Sequence, residues 1–156
     1  MSENIANEHR KGVFLIAVDA TEEFSTAINY AAEFANAEHG YVALLNVIEK
    51  SYVQNWRKVE ERVRTEMRDQ AEQMIWDAAG IVMDKTGKTP MVCIEEGDVA
   101  DVIIQTINDN KNIVALVLAS SRSSSPGPLV TYFSGKGLSK LPVPLMIIPA
   151  NLEPLS

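Results

Sequence analysis

Cysteine is almost missing from this chain. Cys93 is the only one in 156 residues, which excludes an intrachain disulfide and any zinc site built on cysteines. Histidine is nearly as scarce. His9 lies in a polar leading segment, and His39 stands beside Gly40 at an expected helix end, where its ring suits the negative end of the helix dipole. Neither is placed as a catalytic base. Basic residues are outnumbered, 14 Lys and Arg against 21 Asp and Glu, for a formal net charge of -7. That balance excludes a general nucleic-acid binder, which needs clustered cations to neutralise phosphate. No apolar run approaches the roughly 20 residues of a membrane helix. Met1 to Lys11 has no apolar core of a signal peptide. The expected setting is the cytoplasm, without membrane or nucleic-acid partners. Several catalytic signatures are also absent. There is no Gly-x4-Gly-Lys-Ser/Thr loop for a triphosphate with magnesium, no Gly-x-Ser-x-Gly elbow, and no histidine to complete a triad.

What remains is ordinary globular composition, 46% hydrophobic and 22% charged, at a length suited to one domain. Residues 1–11 read as a flexible tail, 12–150 as the domain and 151–156 as a second tail. Val13 to Val18 is a continuous apolar strand ending at Asp19. Thr21 can cap a following helix, with Glu22 and Glu23 in its first turn. Phe24, Ile28, Ala31, Ala32 and Ala35 recur at helical spacing, and Gly40 closes that helix. Tyr41 to Val47 is a second buried strand, interrupted only by Asn46, and Ile48 to Asn55 is a connection. Trp56, Val59, Val63, Met67, Ala71, Met74, Ala78 and Val82 form one stripe of a long helix from Trp56 to about Lys85. Pro90 to Glu95 is a third strand, in which Cys93 reads as an inert core thiol. Gly97 makes a turn and Asp98 caps a helix with inner residues Val99, Val102, Ile103 and Ile107. Ile113 to Ala119 is a fourth strand, seven apolar residues long. A helix from about Leu129 to Lys140 follows, weakened by Gly135 and Gly137. Val143 to Ile148 is a fifth strand that contains Pro144 and therefore belongs at an edge or a bulge. Strict alternation of strands and helices predicts an α/β domain, a parallel sheet with helices on both faces.

In such a sheet, ligands sit at the carboxyl ends of the strands. Asp19 at the first strand's end can bind a ribose hydroxyl or a metal, or cap its own turn. Ser120, Ser121, Arg122, Ser123, Ser124 and Ser125 offer hydroxyls, amides and one cation, and are equally what an exposed loop contains. Three of the four strand ends carry carboxylates, so a bare dianion would be repelled unless a cation accompanied it. A phosphoacceptor receiver domain shares the element order. It would want paired acids after the first strand and a Lys after the fifth, where this chain has Asp19-Ala20 and Pro149.

Five pieces of the chain resemble the universal stress protein family (UspA-like). They are Ala17-Val18-Asp19, Leu44 to Glu49, Gly97-Asp98-Val99-Ala100-Asp101-Val102-Ile103, Ala115 to Arg122, and Leu141 to Pro149 with its Pro-Val-Pro. The resemblance runs from about Gly12 to Pro149. It implies an adenine nucleotide alpha hydrolase-like fold: a five-stranded parallel sheet of order 3-2-1-4-5 with helices on both faces. It further implies a homodimer through the fifth strand, Val143 to Ile148, an apolar edge with few charges. Some members bind ATP or AMP through Gly-x2-Gly-x9-Gly-Ser/Thr after the fourth strand. Laid on this chain without gaps, the glycine positions fall on Ser120, Ser123 and Phe133, and only Ser134 keeps the pattern. Asp19 and Val47 would then lie along an adenosine, with Ser120, Ser121, Arg122, Ser123 and Ser134 at its phosphates. The expected function is that of a dimeric, non-enzymatic stress-response protein that associates with unknown partner proteins and has a degenerate nucleotide loop. No cofactor is certain. An ATP or AMP sensor of the same fold is the alternative, and a small phosphate-ester hydrolase, without base or metal cluster, the remote one.

Overall fold

Val13-Phe14-Leu15-Ile16-Ala17 has no polar side chain, and it forms β1 (Val13–Ala17) at the centre of a five-stranded sheet. The computed structural model describes residues 12–18, 23–49, 61–121 and 125–152. Within them the elements after β1 are α1 (Glu23–Ala37), β2 (Tyr41–Glu49), α2 (Glu61–Thr86), β3 (Met91–Gly97), α3 (Val99–Asp109), β4 (Ile113–Ala119), α4 (Pro128–Ser134), a 3-10 turn (Leu138–Lys140) and β5 (Leu145–Ile148). The pairing is parallel throughout and the order is β3-β2-β1-β4-β5, as the alternation and the resemblance predict.

A parallel sheet needs apolar cover on both faces, because its crossovers place helices there. Side chains of β1 alternate accordingly. Phe14 and Ile16 meet α1 and α2 through Phe24, Ile28, Ala31, Ile75, Ala78 and Val82. Val13 and Leu15 meet α3 and α4 through Ile103, Ile107, Val130 and Phe133. Ile16, Leu44, Leu116 and Val117 are fully shielded from water.

The long helix stripe is corrected in one respect. Burial begins only at Ala71 and continues through Ile75, Ala78, Ala79 and Val82. Val63 is exposed and Met67 half-buried; Trp56 and Val59 lie outside the described residues. Length explains the difference. A helix of 26 residues runs about 39 Å at ~1.5 Å per residue, whereas the nine residues of β2 run about 30 Å at ~3.3 Å each. The leading turns of α2 therefore project past the carboxyl edge of the sheet. In β4 the register slips between Val13↔Ile113 and Phe14↔Ala115, and Val114 is turned out to solvent from the otherwise apolar strand. The fifth strand begins at Leu145, so Val143 and Pro144 precede it, and β5 occupies an edge, the place proline predicts. The helix expected from Leu129 to Lys140 ends at Ser134, with Gly135 as its C-cap, and resumes only as the 3-10 turn.

Gly40 is needed for a different reason than closing a helix. The left-handed residue after α1 is His39, at φ 56°. Gly40 packs its bare Cα against the carbonyl oxygen of Gly12, which accepts the Tyr41 N–H at 2.9 Å and so starts the β1–β2 ladder. An added Cβ would run into that oxygen. Both partners are backbone, so no rotamer change relieves the clash. Gly40→Ala should cost about 1–3 kcal/mol, the range of other overpacked sites, read from the urea midpoint; an unchanged midpoint would count against this contact.

Candidate functional site

At the carboxyl end of the sheet β1 stops at Ala17, opposite Leu45, while β2 continues to Glu49 and β4 to Ala119. The result is a cleft of ≈ 1060 Å³. Ala17 and Val18 form its floor with Val47, Ile48, Leu118 and Ala119; Met67, Gln70, Ala71 and Met74 of the projecting α2 form one wall. The opposite wall is the start of α3, Asp98 to Ala100, with the segment from Ser125 to Val130 and the ring of Tyr132. A smaller depression beside it, ≈ 560 Å³, is lined by Ser120, Ser121, Ala150 and Asn151.

The residues singled out from the sequence divide on this map. Val47 and Ser121 line the cleft. Ser120 lines the side depression, and its hydroxyl accepts the Ala150 N–H at 3.1 Å, tying the chain after β5 to the end of β4. Ser134 is exposed at the end of α4 and its hydroxyl donates to the Val130 carbonyl at 2.6 Å. Asp19, Arg122 and Ser123 lie outside the described residues, as do Thr21 and Glu22. Phe133, on the third glycine position, is fully buried in the core on the α3–α4 face, with Tyr132 edge-on to it at 5.0 Å. It is not among the residues that line the cleft.

Sequence reasoning missed several residues of the lining. Gly127 holds φ 107°, a left-handed-side value that favours glycine, and caps α4, whose first residue is Pro128. The Ser121 N–H donates to the Pro126 carbonyl at 2.9 Å, which folds the loop back on itself. Asn46 is the one buried polar residue among the described ones. Its amide donates to Met74 Sδ at 3.5 Å, and both residues line the cleft. Pro126-Gly127-Pro128 was the available signal for the loop, and the polar interruption of β2 the signal for Asn46.

The carboxylates are clearer. Asp98 caps α3 as the sequence predicts, its Oδ1 accepting the Asp101 N–H at 3.0 Å, and its exposed side chain borders the cleft. Glu49 borders it from β2. Cys93 is half-buried on edge strand β3. Burial first, and then the hydrogen bond and negative charge of Glu95 at 3.4 Å, push its thiol above the ordinary range. A raised value leaves less thiolate at neutral pH, which fits a weakly reactive side chain. Among the described residues no group of three or more His, Cys, Asp and Glu could hold a metal ion. Among them, too, no helix is long and apolar enough to cross a membrane.

The sequence matches the model of the universal stress protein family over residues 12–149. The chain belongs to that family. No curated protein matches the sequence. Universal stress protein UspA from Lactobacillus plantarum is similar in structure, with TM-score 0.64 at 16% identity, covering 89% of this chain and 98% of that one. A universal stress protein in complex with cAMP is similar at TM-score 0.68 and 10% identity, covering 90% and 98%. One from Archaeoglobus fulgidus in complex with dAMP gives 0.58 at 14%, covering 88% and 97%. At these identities the likeness is one of fold.

Phe133 also changes meaning within the family pattern. Its ring is a core element beneath α4 and not an obstruction in the cleft. Phe133→Gly should therefore cost about 4–6 kcal/mol of unfolding free energy, the sum of a large core cavity and a helical glycine, and should not improve binding of AMP. A variant of near-normal stability, or one that gains nucleotide affinity, would show that the ring faces the ligand instead.

Proposed function

We propose that this universal stress protein is a non-enzymatic stress-response protein, active as a homodimer and through association with other proteins. The observation that carries the reading is the free edge of β5. Leu145, Met146 and Ile147 are only partly buried, and no charged residue lies between Leu145 and Ile148. The carbonyls of Pro144 and Ile148 accept from Leu116 of β4 and from Ser120, which follows it, so the alternate residues Leu145 and Ile147 direct their backbone groups outward. An unprotected apolar edge invites pairing, and a two-fold partner supplies the same edge in return. Sedimentation at micromolar concentration should give a dimer. Ile147→Pro, which removes an outward N–H and leaves the β4 ladder intact, should give a monomer of native circular dichroism. A monomeric parent protein would end the dimer reading.

A second reading is favoured by the cleft itself. It lies at the strand ends where the family's adenine nucleotides are expected, it has the volume for one, and relatives of this fold are known in complex with cAMP and dAMP. An adenine compound such as AMP or ATP is the proposed ligand, with Val47 and Ser121 against it. Millimolar AMP should raise the melting temperature in a concentration-dependent way, since binding to the native state alone stabilises it. No rise with any adenine compound would remove this reading.

A further inference from the structure

We infer that Asn46 reads the base: its carboxamide takes the Hoogsteen edge of adenine, and so selects adenine over hypoxanthine and guanine. The inference rests on the adenine reading above and concerns how that base is recognised. Three observations carry it. First, Asn46 belongs to the cleft. It lines the cavity together with Met67, Ala71 and Met74 of α2 and Ile48 of its own strand, a mostly apolar wall suited to a flat ring. Second, it is buried and poorly partnered. At 7% exposure it is almost wholly shielded, and one amide hydrogen goes to Met74 Sδ at 3.5 Å, a thioether and hence a weak acceptor. Among the described residues the other N–H and the carbonyl oxygen meet no hydrogen-bond partner. Burying a carboxamide in that state costs stability that leucine would not; a base that pairs with it offsets the cost. Third, the chemistry of the two remaining groups is specific. A primary amide presents one donor and one acceptor side by side. Adenine offers the complement, the N7 acceptor beside the N6 donor, whereas guanine and hypoxanthine offer two acceptors, N7 and O6. Gln70, the other carboxamide of the wall, is exposed. It must shed water to pair, while Asn46 was desolvated when the chain folded.

AMP, IMP (whose base is hypoxanthine) and 7-deaza-AMP test it on the unaltered full chain, by calorimetric titration. All three carry one phosphate on the same ribose, so whatever the phosphate contributes cancels in the ratios. AMP should bind about tenfold or more tighter than IMP, the size of one bidentate amide–base pair. In 7-deaza-AMP a C–H replaces N7 and leaves the N6 donor in place, so its affinity should fall several-fold below that of AMP. Asn46→Leu keeps the volume, and circular dichroism checks its fold; its AMP to IMP ratio should fall to near one. Equal affinity of the parent for AMP and IMP would overturn the inference and leave a purine site that reads shape alone. Equal affinity for AMP and 7-deaza-AMP would overturn the use of the Hoogsteen edge. A folded Asn46→Leu that keeps the ratio would overturn the role of Asn46, assign the base to another group of the lining, and leave the adenine reading standing. Failure of all three compounds to bind the folded protein would overturn the adenine reading itself, and this inference with it.

Discussion

A parallel sheet has no wet face. Its crossovers lay helices on both sides, so every interior strand must be apolar on both pleats, and its polar chemistry is confined to the strand ends. The rest of this molecule follows from that constraint. Ile16, Leu44, Leu116 and Val117 face opposite helical layers and are all fully shielded. Asn46 marks where the rule relaxes. It is the buried polar residue of the described chain, it lies late in β2, and its amide settles for a thioether partner in the lining of the cleft. A carboxylate, Glu49, appears three residues further on, as the last residue of β2.

Much of the fold was legible because apolar periodicity and parallel pairing obey the same constraint. Ile113 to Ala119 has the length and composition of a doubly covered strand, and it is one. Phe24, Ile28, Ala31, Ala32 and Ala35 are all buried as their spacing predicts. Asp98 is a cap in both readings because its preference is local. What escaped was relative length and register. Nothing in the stripe of α2 tells where the sheet beneath it ends, so Val63 reads like Ala78 although only Ala78 is covered. Val114 reads as core because a bulge depends on the partner strand. Gly40 reads as a helix stop because the carbonyl of Gly12 is distant in sequence.

The cleft was legible in position and less so in lining. The strand-end rule points to the region where the cleft lies, and Val47 and Ser121 line that cleft. Ser120 and Ser134 spend their hydroxyls on backbone partners, which no motif comparison can foresee. Phe133 is the instructive residue. Aligned position sets it against phosphate, whereas the three-residue spacing of Val130 and Phe133 sets it on the inner face of a short helix, and packing prevails.

The central pairing of the sheet has a kinetic consequence. β1 joins β2 across one helix, but its other neighbour is β4, so that Val13 meets Ile113 with most of the described chain in between. Contacts so remote in sequence are reached late, since loop closure must be met before they return anything. By that argument the β1–α1–β2–α2–β3 half, whose strands join through successive crossovers, closes its sheet over shorter loops than the β1–β4 pairing requires. The cleft needs strand ends from both halves, so it depends on the pairing most distant in sequence.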